Sequence, residues 1–164
     1  MFKNVALTIL LIFFVFSVST IAQTKNNLSQ IERTVTQISR RLGKLKQKTA
    51  DLSGVSAESA TTTGFFDGDQ IKKATAQIYG EMGKSNFQFF YQNGNLIFAS
   101  ERQSNYDKTF GKVISTVRRK FYFADKQPIK LLVDQKPLSK KSTEFAEQSQ
   151  RAAELSQKIL DNFK

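Results

Sequence analysis

The stretch from Asn86 to Ser100 constrains the fold more than any other part of the chain. Two runs rich in aromatic and branched apolar residues flank Asn93-Gly94, a dipeptide that tolerates positive φ and suits a tight hairpin turn. Side chains alternate across a strand, and apolar side chains fall on both sides of this alternation. The pattern therefore predicts a central antiparallel hairpin with both faces at least partly covered.

Related units precede and follow this hairpin. An aromatic strand end, a turn and an apolar strand start recur around Asp67-Gly68. They recur again around Asp125 to Pro128, in a unit that has proline instead of glycine and is predicted to be one residue longer than the other two. Further alternating segments cover residues 70–79, 112–124 and 129–134. The recurrence predicts an antiparallel meander of similar hairpins, with about five or six strands in all.

A heptad pattern of apolar residues runs through residues 23–52 and predicts a long amphipathic helix, a coiled-coil candidate. In a parallel homodimer, however, Arg41, Lys46 and Lys48 would set like charges against each other. The seam is therefore expected to pack within its own chain, against the C-terminal helix or the sheet; a partner helix with acidic flanks is the alternative. The seam residues are Leu28, Ile31, Val35, Ile38, Leu42 and Leu45.

The remaining boundaries follow from composition. Residues 53–63 are small and polar and predict a linker, whereas residues 64–164 are expected to hold the sheet and a C-terminal helix. Ser142 or Thr143 is the expected N-cap of that helix, which should end near Phe163. The predicted fold class is α+β, an antiparallel β-meander flanked by a long N-terminal helix and a C-terminal helix. The two helices are expected to cover one face of the sheet or to pair with each other.

The first residues indicate export. Lys3 precedes an apolar run, and small residues precede Gln23, so residues 1–22 are predicted to be a signal peptide and Gln23 the start of the mature chain. Retention of this segment as an anchor is the alternative. The expected location is the periplasm, the cell surface or the extracellular medium.

Composition excludes several kinds of chemistry. The sequence has no cysteine and no histidine, which removes disulfides, thiolate and imidazole metal sites, and Ser-His-Asp catalysis. No cofactor, metal site or catalytic residue is predicted. The preferred interpretation of the net charge of +11 is a generally basic surface that keeps the protein soluble; an anionic envelope component or an acidic protein is the alternative partner, and the expected export argues against nucleic acid.

Two basic segments are the candidate interaction surfaces. The first contains Arg40, Arg41, Lys44, Lys46 and Lys48; its plainer interpretation is a solvated helix face, and its sharper one is contact with anionic headgroups. The second is a strand with Arg118, Lys120 and Tyr122, in which three cations are followed by three aromatic residues. An edge strand whose charges deter aggregation is the plainer interpretation of that segment.

Carboxylates support only weaker hypotheses. Glu81, Glu101 and Asp107 are acids that a hydrolase would need the fold to bring together. Asp67 and Asp69 flank Gly68, but the residues that follow lack further calcium ligands, so a hairpin turn is favoured there.

Three segments carry a resemblance to a known group. They are Phe66 to Ile71 with its Asp-Gly turn, Tyr79 to Lys84 with the sequence Tyr-Gly-Glu-Met-Gly-Lys, and Phe87 to Phe98 with its Asn-Gly turn. In these segments the chain resembles uncharacterised exported bacterial proteins with repeated aromatic-(Asp/Asn)-Gly β-hairpins. The resemblance covers about half of the expected mature chain and implies no established activity.

The function expected from these features is that of an exported, non-enzymatic binding protein of the cell envelope. Its partner is expected to be a protein or an anionic envelope component, and peripheral membrane contact is included in that expectation. Two alternatives stay open. One is a hydrolase or hydrolase inhibitor with carboxylates assembled by the fold, and the other is a structural coiled-coil protein.

Overall fold

The computed structural model describes residues 27–56 and 58–164. The predicted signal peptide, residues 1–22, and Gln23 lie outside the described residues. Helix α1 covers residues 27–40 and is followed by a 3-10 turn at Leu42–Lys44. The elements that follow are β1 Lys46–Asp51, β2 Ser59–Asp67, β3 Gln70–Gly80, β4 Gly83–Gln92, β5 Asn95–Tyr106, β6 Val113–Ala124, β7 Gln127–Val133, β8 Lys136–Pro137 and α2 Thr143–Asn162.

The eight strands form one open antiparallel sheet, and their order in the sheet is their order in the chain. The predicted α+β class is confirmed, but the sheet has more strands than the five or six predicted. The additional strands include both edges, β1 and β8. Because β1 is almost wholly exposed and carries Lys46 and Lys48, and β8 has only 2 residues, neither edge is a good template for pairing with another chain.

The prediction of one helix over residues 23–52 is wrong beyond residue 40. Residues 46–51 form β1, which pairs with β2 from Lys46 opposite Phe66 to Asp51 opposite Thr61. Gly43, a poor helix former, lies in the turn between α1 and β1, and β2 offers the segment a full set of backbone partners. The strand β2 also begins at Ser59, inside the predicted linker.

The two helices lie on opposite faces of the sheet, rather than on one face or against each other. The seam of α1 packs through Leu28, Ile31, Val35 and Ile38 on one face, which we call the α1 face. The stripe of α2 packs on the other, the α2 face. The α1 seam therefore serves its own chain, and the central hairpin is covered on both faces as predicted. The strand residues under α1 are Phe90, Ile97, Phe98, Tyr122, Ile129 and Leu132, and those under α2 include Ala74, Ala76, Phe87, Phe89, Tyr91, Ala99, Phe121, Phe123 and Leu131.

Helix α2 follows the sequence prediction closely. It starts after Ser142, whose Oγ accepts a hydrogen bond from the Phe145 N–H, and it ends at Asn162. Its buried residues fall on one stripe at helical spacing, including Ala152 and Ile159. Ser156 Oγ donates to Tyr91 Oη at 3.1 Å inside this core, and burial raises the pKa of Tyr91.

The recurring hairpin unit has a common structural basis, a β-bulge on the strand that follows each turn. The register of the sheet shifts between Phe65 and Phe66, again between Phe90 and Tyr91, and again between Tyr122 and Phe123. In the second and third units the first aromatic residue, Phe90 or Tyr122, lies under α1, and the second, Tyr91 or Phe123, lies under α2. In the first unit Phe66 packs edge-on against Phe163, the residue that follows α2, at 5.5 Å between ring centroids.

Each bulge leaves one unpaired residue on the returning strand. These residues are Lys72, Ile97 and Ile129, and the two isoleucines pack in the cluster under α1. The predicted extra residue in the third unit is therefore wrong, because Pro128 occupies the place of Leu96 and pairs with Phe123. In that turn Asp125 and Lys126 both have positive φ, as Asn93 and Gly94 do in the central hairpin.

Candidate anion-binding site

Helix α1 covers only part of its face of the sheet. It lies over Phe90, Phe98 and Tyr122, which are near the Asn93-Gly94 end of their strands. Towards the other end the sheet is bare, and a shallow depression of about 450 Å³ opens there. Its lining includes side chains of four neighbouring strands and no residue of α1; the residues on this face are Asn86, Gln88, Ser100, Arg102, Arg118, Lys120, Leu132 and Gln135.

The register of the sheet concentrates positive charge in this depression. Arg102 on β5 lies directly opposite Arg118 on β6, and Lys120 follows two residues later on the same face. Like charges directly opposite each other on neighbouring strands are destabilising. Among the described residues, no carboxylate lies within 4.0 Å of any of the three cationic groups. The nearest acid by hydrogen bonding is Asp134, whose Oδ1 accepts the backbone N–H of Arg118 at 2.9 Å.

Two of the three residues predicted from the basic strand belong to this depression. Arg118 is exposed and Lys120 is half-buried, and both lie on the α1 face, as the alternation predicts. Tyr122 lies outside it because α1 covers its ring, and its Oη lies 3.4 Å from Glu32 Oε1. Burial, with the neighbouring Glu32 carboxylate, raises the pKa of Tyr122. Tyr122 is a core residue rather than part of an open surface.

The other predicted basic cluster is dispersed. Arg40 and Arg41 lie at the end of α1, Lys44 lies in the 3-10 turn, and all five side chains are exposed. Arg41 forms an ion pair with Asp67 at 3.7 Å. Lys46 and Lys48 lie on the edge strand, and Lys48 Nζ is 5.1 Å from the Phe66 ring centroid. The structure does not bring these side chains into the depression that holds Arg118.

Arg102 is the residue of this site that the sequence interpretation missed. It falls at the end of the predicted strand from Leu96, and the only available signal was its place in the alternation with Phe98 and Ser100. Its position opposite Arg118 depends on how β5 pairs with β6, and the loop between these strands contains no turn motif from which the register could be predicted. Asn86 and Gln88 complete the row as hydrogen-bonding groups on β4.

A second polar cluster lies directly behind the depression, on the α2 face. The side chain of Glu101 is fully buried, and its Oε2 accepts from Arg119 at 3.0 Å and from Arg151 of α2 at 2.6 Å. Ser85 Oγ donates to Oε1 at 3.0 Å. This carboxylate is therefore occupied by three donors and ties α2 to the middle of the sheet.

The other two acids considered for a hydrolase lie elsewhere. Glu81 is exposed in the β3–β4 turn, and Asp107 is exposed in the β5–β6 loop, where its Oδ1 accepts the Lys112 N–H at 2.8 Å. Asp67 and Asp69 flank a hairpin turn in which Gly68 has a φ of 59°. The side chain of Glu101 is buried under α2, whereas Glu81 and Asp107 are exposed in connections at the end of the sheet. The fold therefore does not bring these three acids together.

One lysine on the α1 face is mostly buried. Lys73 Nζ lies 5.2 Å from the Phe90 ring centroid and 5.6 Å from that of Phe65. Burial lowers the pKa of Lys73. Its place opposite Phe65 and Phe90 makes it part of the packing beside α1 rather than of the open depression.

The depression carries groups that are chemically suited to hold an anion. Its three cations supply charge, and its amide and hydroxyl groups supply hydrogen-bonding groups, but it presents no nucleophile paired with a base. The chain matches no family model, no curated protein and no solved structure. None of the helices in residues 27–56 and 58–164 is long and apolar enough to cross a membrane.

Proposed function

We propose that the protein is an exported, non-enzymatic binding protein of the cell envelope that holds an anionic component in the depression of Arg102, Arg118 and Lys120. The ligand chemistry that fits is a chain or headgroup with closely spaced phosphate or carboxylate groups. Arginine suits this task because its planar guanidinium offers paired donors to such groups.

The observation that carries the proposal is the direct opposition of Arg102 and Arg118, with no carboxylate of the described residues within 4.0 Å of either guanidinium. The sheet bears the repulsion of this pair, and an anion bound between the two guanidinium groups would relieve it. The α2 face differs from the α1 face in this respect, which supports an anion-binding role for Arg102 and Arg118. There Arg119, one residue away, is neutralised by the buried Glu101.

The proposal is tested by titrating the purified protein with inorganic polyphosphate and, separately, with poly-glutamate, using isothermal titration calorimetry. The two probes distinguish phosphate from carboxylate recognition. The double substitution Arg102→Gln/Arg118→Gln is expected to weaken binding of the preferred polymer by more than about tenfold, which corresponds to about 1.4 kcal/mol. Affinity is also expected to fall as salt is raised, because the contacts are solvent-exposed ion pairs.

A matched control removes the same charge elsewhere. The double substitution Arg40→Gln/Arg41→Gln also lowers the net charge by two, at the end of α1, and is expected to change the affinity by less than about threefold. Equal losses in the two double variants would show attraction to net charge alone and would reject the assigned site. Hydrolysis of either polymer by the protein would contradict the non-enzymatic assignment.

A further inference from the structure

All of the large apolar side chains that are strongly exposed in the described residues lie at one end of the sheet. They are Tyr79, Met82, Phe110, Val113 and Ile114, with Phe110 and Ile114 the most open at 62% and 67% exposed. They belong to the end of β3, the β3–β4 turn, the β5–β6 loop and the start of β6. We call this group the apolar end. It is opposite to the end that carries the Asn93-Gly94 turn.

Hydrogen bonds hold the two connections of the apolar end together. The Phe110 N–H donates to the Glu81 carbonyl at 2.8 Å, and the Tyr106 N–H donates to the Met82 carbonyl at 2.9 Å. Thr109 Oγ1 lies 3.9 Å from Met82 Sδ. The β5–β6 loop is therefore fixed on the β3–β4 turn, and the exposed side chains form one surface.

The backbone of Phe110 adds an independent sign of function. Its φ is +53°, a left-handed conformation that costs a residue with a bulky side chain about 1–2 kcal/mol. The ring is mostly exposed, so packing inside the protein does not compensate for this cost. Strain of this kind is concentrated at sites that contact a ligand or partner.

Basic residues lie close to the apolar end in the chain and on the adjoining face. Lys84, Lys108 and Lys112 are close to it in the chain, and Arg102 and Arg118 line the depression on the adjoining part of the α1 face. The acids of this end are Glu58, Glu81 and Asp107, and one Asp107 oxygen is occupied by the Lys112 N–H. Exposed apolar side chains with lysines close to them in the chain match the interface of an anionic bilayer, where apolar groups enter the acyl boundary and cations meet the headgroups.

The geometry points to a lipid surface: we propose that the apolar end inserts into the headgroup region of an anionic bilayer, with Phe110 and Ile114 deepest. Ile114 is the unpaired residue of a β-bulge at the start of β6, and Val113 precedes it opposite Tyr106, so both exposed side chains lie at the rim of the sheet. A fluid bilayer can cover such an end from both sides. This inference goes beyond the anion-binding proposal, because a soluble polyanion could fill the depression with the apolar end in water.

The test is co-sedimentation of the purified protein with phosphatidylcholine vesicles, with and without about one third phosphatidylglycerol. The wild type is expected to bind the anionic vesicles. Phe110→Asn is expected to weaken that binding by more than about tenfold, because it removes the deepest apolar group. The same variant should raise Tm by about 2–4 °C, since asparagine accepts the left-handed conformation more readily than phenylalanine. If Phe110 had only a structural role, the variant would not lose vesicle binding while its Tm rises.

A charge-matched pair of variants tests the orientation. Lys108→Gln at the apolar end is expected to weaken vesicle binding by about threefold or more, and Lys126→Gln at the opposite end is expected to leave it unchanged. Vesicle binding that survives in Phe110→Asn, or a wild type that binds polyphosphate but no vesicles, would overturn the inference. In the second case the anion-binding proposal would stand. The wild type could instead self-associate without binding vesicles, and Phe110→Asn could abolish that self-association. This result would assign the apolar end to a second copy of the chain and reject the lipid surface.

Discussion

Removal of the buried carboxylate of Glu101 is the sharpest test of how the sheet and α2 are held together. The substitution Glu101→Leu leaves Arg119, whose side chain is only 12% exposed, without its counter-charge. Leaving one member of a buried pair alone costs about 3–5 kcal/mol. Arg151 adds little to this, since its side chain is 43% exposed and its guanidinium can turn into water. We therefore expect Glu101→Leu to lower the free energy of unfolding by about 3–4 kcal/mol.

The companion substitution Arg119→Met has a smaller cost. Glu101 would keep Arg151 at 2.6 Å and Ser85 at 3.0 Å, so a loss of about 2–3 kcal/mol is expected. The double variant Glu101→Leu/Arg119→Met removes both charges together. It also removes Arg119 Nε, a buried donor without a hydrogen-bond partner among the described residues. Its expected cost is only about 1–2 kcal/mol, which gives a coupling energy of about 3–6 kcal/mol.

Urea unfolding monitored by far-ultraviolet circular dichroism measures all three variants by linear extrapolation. A domain of this size usually has a free energy of unfolding of about 5–15 kcal/mol, which leaves the single variants measurable. The control is Arg41→Gln, which breaks the exposed pair with Asp67 and should cost less than about 1 kcal/mol. Additive costs in the double variant, or a loss below about 1 kcal/mol in Glu101→Leu, would refute this account of the buried cluster.

Three further outcomes are expected. Lys126→Gly should raise the free energy of unfolding by about 0.5 kcal/mol, since Lys126 has a φ of 64°. Gly94→Ala, with a φ of 76° and no atom near the added Cβ, should lower it by about 1 kcal/mol. Effects of the same sign for these two variants in urea unfolding would contradict the argument from left-handed backbone. For Lys73, burial lowers the folded-state pKa below its ordinary 10.5, so the unfolded state binds more protons. The wild type should therefore gain stability relative to Lys73→Met as pH rises towards 10.5, and a constant difference would exclude the effect.

Much of the architecture could be predicted because local signals agreed with tertiary packing. The Asn93-Gly94 turn fixed the central hairpin, and the mixed apolar pattern of its strands predicted its covered faces. The cap at Ser142 and the stripe of α2 were visible in the same way. Alternation along β6 also separated Arg118 from Arg119, which the structure places on opposite faces.

The helix boundary was harder to predict because two signals overlapped. The apolar seam continues at Leu42 and Leu45, and at heptad spacing it suggests a continued helix. Pairing of β1 with β2 is a long-range contact that no local pattern in KQKTAD reveals. Tertiary pairing overrode the weak local preference here, as it commonly does for edge strands.

The position of Arg102 in the candidate site depends on a β-bulge, which cannot be found by counting residues outward from the Asn93-Gly94 turn. Counting outward from Gln92 opposite Asn95 would place Asn86 opposite Glu101, and so would put Glu101 on the α1 face. The bulge at Ile97 shifts the register by one residue, which places Asn86 opposite Arg102 instead.

The consequence is a division of charge between the two faces. Glu101 turns under α2, where it neutralises Arg119, and Arg102 turns to the bare face, where it meets Arg118. The same bulge, repeated near Phe65 and Tyr122, places isoleucines under α1 in two of the three hairpins. The inserted Ile97 thus serves both purposes. It supplies an apolar contact for α1, and it leaves the cations beyond α1 without the acid that would otherwise neutralise them.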